Sequence, residues 1–383
     1  MPRLSVRGGV EPFHVMEVAK AASLRQATHG DAILLCVGQP ATPAPAVVRA
    51  AAVAAVTGQV LGYTVSGGDA ALRARIAADY DRYGVAVDPA EVLVTTGSSA
   101  GFQLLALAAF DVGDTVAMTR PGYPAYRNTL ASLGCVVADL EVGAATRYQP
   151  TIAHLEALPE PPAGLVVASP SNPTGTIIDP AELASLAAWC EAHDTLLISD
   201  EIYHGISFGR PCASARQFGL GAAVLGSVSK YHSMTGWRLG WLLLPEHLRR
   251  PAELLQSNLA ICAPAVSQVA ALVAFDAPAR AELDAHVARY ARNRDLLLTR
   301  LPELGIASYA PPDGAFYAWC DVSHLTDDSR RWCAEVLAAT GVALAPGIDF
   351  DPAEGGRMVR VSLCGDTTEL DEAVDRLVAF LRS

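Results

Sequence analysis

Short apolar runs that each stop in a polar, Gly/Pro-rich turn, interleaved with stretches of helical periodicity, constrain this chain more than any other feature. EVLVTT, DTVAMT, CVVADLE, GLVVAS and TLLISD read as strands, and VVRAAAVAAV and DAALRARIAADYDRYG read as helices. Alternation of this kind gives βα units and a mostly parallel sheet with helices on both faces. The turns that close the strands are TTGSSAG, TRPGYP, SPSNPTG and SDEIYHG. Open α/β sheets bind ligands outside the carboxyl ends of their strands, so these turns are where chemistry is to be sought.

From about residue 278 the pattern changes. A long helical stretch, PARAELDAHVARYARNRDLLLTRL, is followed by strands GAFYAWCDV and RMVRVSL and by a last helix from about Thr367 to Arg382. The expected class is therefore α/β. A large domain at 41–280 carries the mostly parallel sheet, and a smaller α+β domain combines an N-terminal arm, 1–40, with the C-terminal segment, 281–383. With 383 residues and 51% hydrophobic content the chain can fill one large core and a companion.

A formal net charge of −12 argues against nucleic acid or an anionic membrane as the main partner, since both select clustered Lys and Arg. The N-terminal stretch has no apolar run of signal-peptide length, and no run elsewhere approaches the roughly 18–20 residues of a membrane span. The expectation is a cytoplasmic protein. The 8 cysteines are scattered without a CxxC pair, which suits reduced core thiols. Cys190 and His193 stand three apart on an expected helix, but two ligands do not make a metal site, and none is expected.

Three turns hold candidate functional residues. GSVSKYHSMTGWRLGW places Lys230 between the apolar runs AAVLGSVS and LGWLLLP, with Arg238 eight residues on. A lysine between buried strands is partly desolvated, which disfavours the ammonium and yields an amine able to attack a carbonyl. TTGSSAGFQLLAL runs from strand through turn into helix, so the N–H groups of Ser98, Ser99 and Ala100 can face one anion; a plain serine N-cap is the ordinary alternative. SPSNPTGTI is a turn sequence after GLVVAS. Asp200 ends the strand TLLISD, where a carboxylate needs a cationic partner or several donors. A protonated heterocyclic nitrogen would be such a cation.

With NPTG, DEIY and SxSK followed by GWRLG in this order, the chain resembles the fold-type I pyridoxal-phosphate enzymes, in their class I/II aminotransferase branch. The likeness extends from Gly38 to Arg360 and implies pyridoxal 5′-phosphate as cofactor. It implies that Lys230 carries the cofactor aldehyde covalently, that Asp200 pairs with the ring nitrogen, and that Tyr203 and Asn172 hydrogen-bond the ring oxygen. Ser227, Arg238 and the Gly97-Ser98-Ser99 turn match phosphate ligands, and Tyr123 matches an aromatic stacked on the ring. Tyr63 matches a tyrosine that reaches the neighbouring subunit's phosphate, which implies a homodimer with shared active sites. Arg360 matches the clamp for the substrate α-carboxylate, which Gly38 approaches through its backbone. Arg357, His204 and His232 match no assigned role.

The reaction implied is transfer of an amino group between an L-amino acid and a 2-oxo acid, with Lys230, Asp200 and Tyr203 as catalytic residues. GSSAG carries no Lys or Arg. A second carboxylate in a site without its own cation meets an unrepaid desolvation cost, which favours neutral donors such as alanine or valine. Arg127 or a residue of the neighbouring subunit could supply a missing cation. Three rivals stay open: an aspartate- or glutamate-type aminotransferase, a lyase, decarboxylase or oxidase on the same cofactor, and a ligand sensor, for which MPRLSVRGG leaves no room for a DNA-binding domain.

Overall fold

The inner strands of the large sheet are mostly apolar on both faces, because helices cover both. The computed structural model describes residues 5–382; residues 1–4 of the expected arm, and Ser383, lie outside the described residues. A two-residue strand β1 (Ile33–Leu34) precedes seven strands of one sheet: β2 (Val92–Thr95), β3 (Thr115–Arg120), β4 (Val136–Glu141), β5 (Gly164–Ala168), β6 (Leu196–Asp200), β7 (Ala223–Ser227) and β8 (Gly240–Leu243). Their spatial order is β2-β8-β7-β6-β5-β3-β4. The pairs from β7 through β6, β5 and β3 to β4 are parallel, whereas β8 is antiparallel to β7 and to β2. The start of β8 therefore shares an edge with the ends of all the others. That edge is where the polar turns collect.

Alternation along each strand separates the two cores. In β5, Leu165 and Val167 face one cluster and Val166 the other; β8 divides Trp241 and Leu243 from Leu242 in the same way. The helices Ala46–Gly58, Ala70–Asp79 and Pro180–Ala192 cover the first face through Val48, Ile76 and Leu186. Gly97–Ala109, Pro124–Leu133 and Glu246–Leu259 cover the second through Leu105, Leu130 and Leu248. The stretch DAALRARIAADYDRYG starts as expected, its Asp69 carboxylate accepting from the Leu72 N–H at 3.0 Å. It tightens into a 3-10 turn at Tyr80–Tyr83 and stops at Gly84, φ +67°.

The C-terminal strands β9 (Tyr317–Asp321), β10 (Val342–Ala343), β11 (Ala345–Pro346) and β12 (Met358–Ser362) complete the fold. They form an antiparallel sheet β11-β12-β9, while β10 pairs in parallel with β1 from the N-terminal segment. Strands of two residues carry no periodicity, which is why β1, β10 and β11 escape a sequence reading. The expected arm contains a 16-residue helix, His14–His29, whose Val15 and Ala22 pack with Trp319, Leu337 and Phe350 against the small sheet. The helix Ala277–Arg300 runs without interruption through the boundary expected at 280, and its Leu283, Tyr290 and Leu297 join the core of the small sheet. Among the described residues no helix is long and apolar enough to cross a membrane.

Leu165 is fully buried in β5 with Ala117 and Leu197 in its cluster. Leu165→Ala should lower unfolding free energy by about 2–5 kcal/mol in urea titration with an unchanged m-value. A loss under about 1 kcal/mol would mean that this core collapses freely around the missing atoms.

Candidate active site

The carboxyl edge of the large sheet, the small sheet and the start of the helix His14–His29 enclose a cavity of about 460 Å³. Asp200, the last residue of β6, lines it. Tyr203 follows from the turn after β6, Asn172 from the turn after β5, and Tyr123 from the segment after β3. Lys230 and Arg238 stand on the loop between β7 and β8, and Ser98 and Ser99 on the first turn of Gly97–Ala109. Arg360, in the middle of β12 opposite Trp319 and Ala345, enters from the small sheet, and Gly38 from the segment after β1. Ten residues singled out in the sequence thus meet in one space.

Burial sets the charges here. Lys230 donates from Nζ to the Gly38 carbonyl at 2.6 Å. Desolvation, helped by the Arg360 guanidinium, lowers its pKa to about 8. Desolvation pushes Asp200 up to about 7, against the Ile202 N–H, which donates to its Oδ1 at 3.1 Å, and against the Lys230 charge. The Tyr126 hydroxyl donates to Asp200 Oδ2. Buried Tyr203 exchanges a hydrogen bond with the Tyr317 hydroxyl at 2.8 Å, and desolvation raises its pKa well above the phenolic value.

Arg360 is 2% exposed. Its Nη1 donates to Asn172 Oδ1 at 2.8 Å and its Nη2 to the Cys36 carbonyl at 2.6 Å, and the guanidinium lies 4.3 Å from the Tyr317 ring centroid and 4.6 Å from that of Phe350. Nε has no partner. A buried guanidinium with a spare donor beside a cavity suits an anionic ligand. At the other end, Gly97 (φ +78°) packs so closely on Arg238 that a Cβ there would run into the guanidinium. Arg238 is itself left-handed at φ +50° and donates from Nη1 to the Thr235 carbonyl at 2.9 Å. A backbone held this way at a cavity wall stores strain for position.

Three expected residues do not line the cavity. The Ser227 hydroxyl is occupied by backbone, donating to the Leu239 carbonyl at 3.3 Å and accepting from the Ser229 N–H at 3.0 Å; Ser229 lines the cavity instead. Gly97 shapes the wall only through its contact with Arg238. Tyr63 is 82% exposed on the outer surface. Arg127 pairs with Asp139 and is not among the lining residues, and Arg357 is exposed near Glu354, 3.9 Å away. His204 and His232 line a separate cavity of about 30 Å³ with Glu201, where burial lowers them to about 3 and about 4, so both stay neutral. His193 stacks on Trp189.

The sequence reading missed Tyr126, Tyr317, Ser229 and the apolar wall of Phe13, Val15 and Met16. Tyr126 had a signal: it follows Tyr123 by three residues at a helix start, which puts both on one side. The wall had none, because the arm reaches the site only through tertiary contacts.

The family model for aminotransferase class I and II matches residues 30–377. A valine–pyruvate aminotransferase of Mycobacterium tuberculosis is 53% identical over 100% of this chain and 99% of its own length. The crystal structure of an aminotransferase from the same organism superposes with a TM-score of 0.98 at 52% identity, covering 100% of both chains. A Thermus thermophilus aspartate aminotransferase solved with maleate gives 0.92 at 31%, covering 99% of this chain and 100% of its own.

Because burial and Arg360 both disfavour the ammonium, the neutral fraction of Lys230 rises as pH passes through about 8 instead of the ordinary 10.5. Competitive acetylation of the ligand-free protein, read by peptide mass, should show that midpoint, and Arg360→Ala should move it upward. A wild-type midpoint like that of an exposed lysine would contradict this electrostatic reading.

Proposed function

The chain belongs to the class I and II aminotransferases and is an enzyme of that class; from this premise we propose that it moves the amino group of a neutral L-amino acid, such as valine or alanine, to a 2-oxo acid, using pyridoxal 5′-phosphate held around Lys230. One observation carries the reading: a desolvated amine and a buried carboxylate, Lys230 and Asp200, line a single cavity whose far wall is a buried arginine with a spare donor.

The residues fit the cofactor. Asp200 is buried with two donors and, among the described residues, makes no ion pair, and a protonated ring nitrogen would provide one. Arg238 and the first turn of Gly97–Ala109, with Ser98, Ser99 and Ser229 along the wall, fit a phosphate. Tyr123 fits a stacking partner, and Tyr203 and Asn172 fit donors to a ring oxygen. The bound group supplies an aldehyde for the amine and a ring that withdraws electrons from the substrate Cα. Arg360 holds the substrate α-carboxylate and thereby orients the Cα–H bond, while Gly38 lets the backbone approach. Lys230 Nζ takes the Cα proton, and its lowered pKa keeps it able to do so near neutral pH. Phe13, Val15, Met16 and Phe102 give the cavity an apolar wall that suits an apolar side chain.

Donor charge follows from the same inventory. Lys230, Arg238 and Arg360 are the only Lys or Arg among the described lining residues, and each has a role. Arg127 is neutralised by Asp139. The valine–pyruvate relative supports the same choice. The exposed run Val60, Leu61, Tyr63 and Val65, with Val53 and Val56 nearby, supports a homodimer in which Tyr63 reaches the partner's phosphate site. The unit 41–280 then carries the cofactor, 1–40 and 281–383 form the smaller domain, and the enzyme works in the cytoplasm.

Under one acceptor, kcat/KM for valine and alanine should exceed that for aspartate and glutamate, and Lys230→Ala should abolish turnover while the protein still folds. An aspartate preference of about tenfold, near 1.4 kcal/mol of transition-state discrimination, would overturn the neutral-donor reading. For assembly, native mass measurement should find a dimer, and mixing inactive Tyr63→Phe with Lys230→Ala should restore part of the activity through hybrids with one intact site. An active monomer would remove the shared-site claim.

A further inference from the structure

The helix His14–His29 begins at Phe13, a residue with no side-chain oxygen to cap the first free N–H groups. A carboxylate 335 positions away takes that task. Asp349 accepts from the His14 N–H through Oδ1 at 2.9 Å and from the Val15 N–H through Oδ2 at 2.7 Å. Its negative charge sits at the positive end of the helix dipole, which strengthens both bonds. The next two residues fasten the same turn to the large sheet. The Phe350 carbonyl accepts from the Gly122 N–H at 3.0 Å, and Asp351 Oδ1 accepts from Arg120 Nη1 at 2.9 Å. Between these tethers the Phe350 ring lies 4.6 Å from the Arg360 guanidinium.

The clasp 349–351 thus joins three parts of the cavity. It fixes the helix start that presents Phe13, Val15 and Met16, the segment that presents Tyr123, and the arginine that faces the α-carboxylate. Phe13 and Tyr123 meet edge to face across the mouth, with ring centroids 6.2 Å apart. Met16 is 60% exposed and Phe13 part-exposed, so their own packing holds this wall weakly.

We propose that Asp349 is a positioning residue for donor selection: by capping the helix His14–His29 across the fold, it sets the distance between the α-carboxylate site at Arg360 and the apolar wall of Phe13, Val15 and Met16, and so favours branched apolar side chains over shorter ones. The proposal rests on the neutral-donor reading above. Asp349 touches neither substrate nor reacting atoms; it acts through the helix it caps.

The test compares wild type, Asp349→Ala and Asp349→Asn as holoenzymes, with alanine, 2-aminobutyrate and valine as donors under one acceptor, alongside amide hydrogen exchange at His14 and Val15. In Asp349→Ala both amides should lose protection, KM for valine should rise about tenfold with kcat little changed, and alanine should change by less than about threefold. Asp349→Asn keeps one acceptor oxygen and should fall between, and it decides the matter if the alanine variant does not fold. Equal losses for all three donors, or an unchanged valine-to-alanine ratio despite lost amide protection, would overturn the proposal. If wild type transaminates none of the three, the neutral-donor reading itself fails, a result visible before any variant is made.

Discussion

An ammonium and a carboxylate removed from water within one cavity each resist their charge unless a partner restores it. Burial lowers Lys230 from 10.5 to about 8 and raises Asp200 from 3.8 to about 7, so each charge is held less firmly than in water. Most of the surrounding structure keeps that tension in place. Adjacent parallel strands β6 and β7 deliver the two residues to one edge, and antiparallel β8 returns the chain so that Arg238 arrives at the same edge. Helices on both faces keep the strands dry. The small sheet closes the far side with Arg360, whose own charge helps to depress the lysine.

The large sheet was legible because its inner strands are mostly apolar on both faces and end in turn chemistry, and that pattern is local. Lys230 and Asp200 stood out because each lies beside a polar turn at a strand end, whereas the role of Asn172 came only from the family resemblance that NPTG, DEIY and SxSK carry together. Identity of type was less secure than position. Ser227 ends β7 and Ser229 stands in the bend that follows, and the backbone bonds of the β7–β8 loop decide that Ser229 meets the cavity while Ser227 turns to Leu239.

What could not be read depends on residues far apart in the chain. The two-residue strands β1 and β10 owe their existence to each other, and Tyr317 matters because β9 lays it beneath Arg360 and against Gly38, where a Cβ would collide with its hydroxyl. The helix His14–His29 has only a narrow apolar stripe, and its start is capped from position 349. No window of sequence contains both ends of such a bond. Tyr63 differs again: 82% exposed, it contributes nothing to the site of its own chain.

The chain contains two lysines, Lys20 and Lys230, among its 28 Lys and Arg residues, so an adduct on one is readily told from an adduct on the other. Lys20 is exposed on the helix His14–His29, and Lys230 is the desolvated one. Borohydride reduction of the protein loaded with pyridoxal 5′-phosphate, followed by peptide mass mapping, should place one equivalent of the reduced cofactor on Lys230, with none in Lys230→Ala. Labelling at Lys20 alone, or no stable adduct at all, would contradict the account.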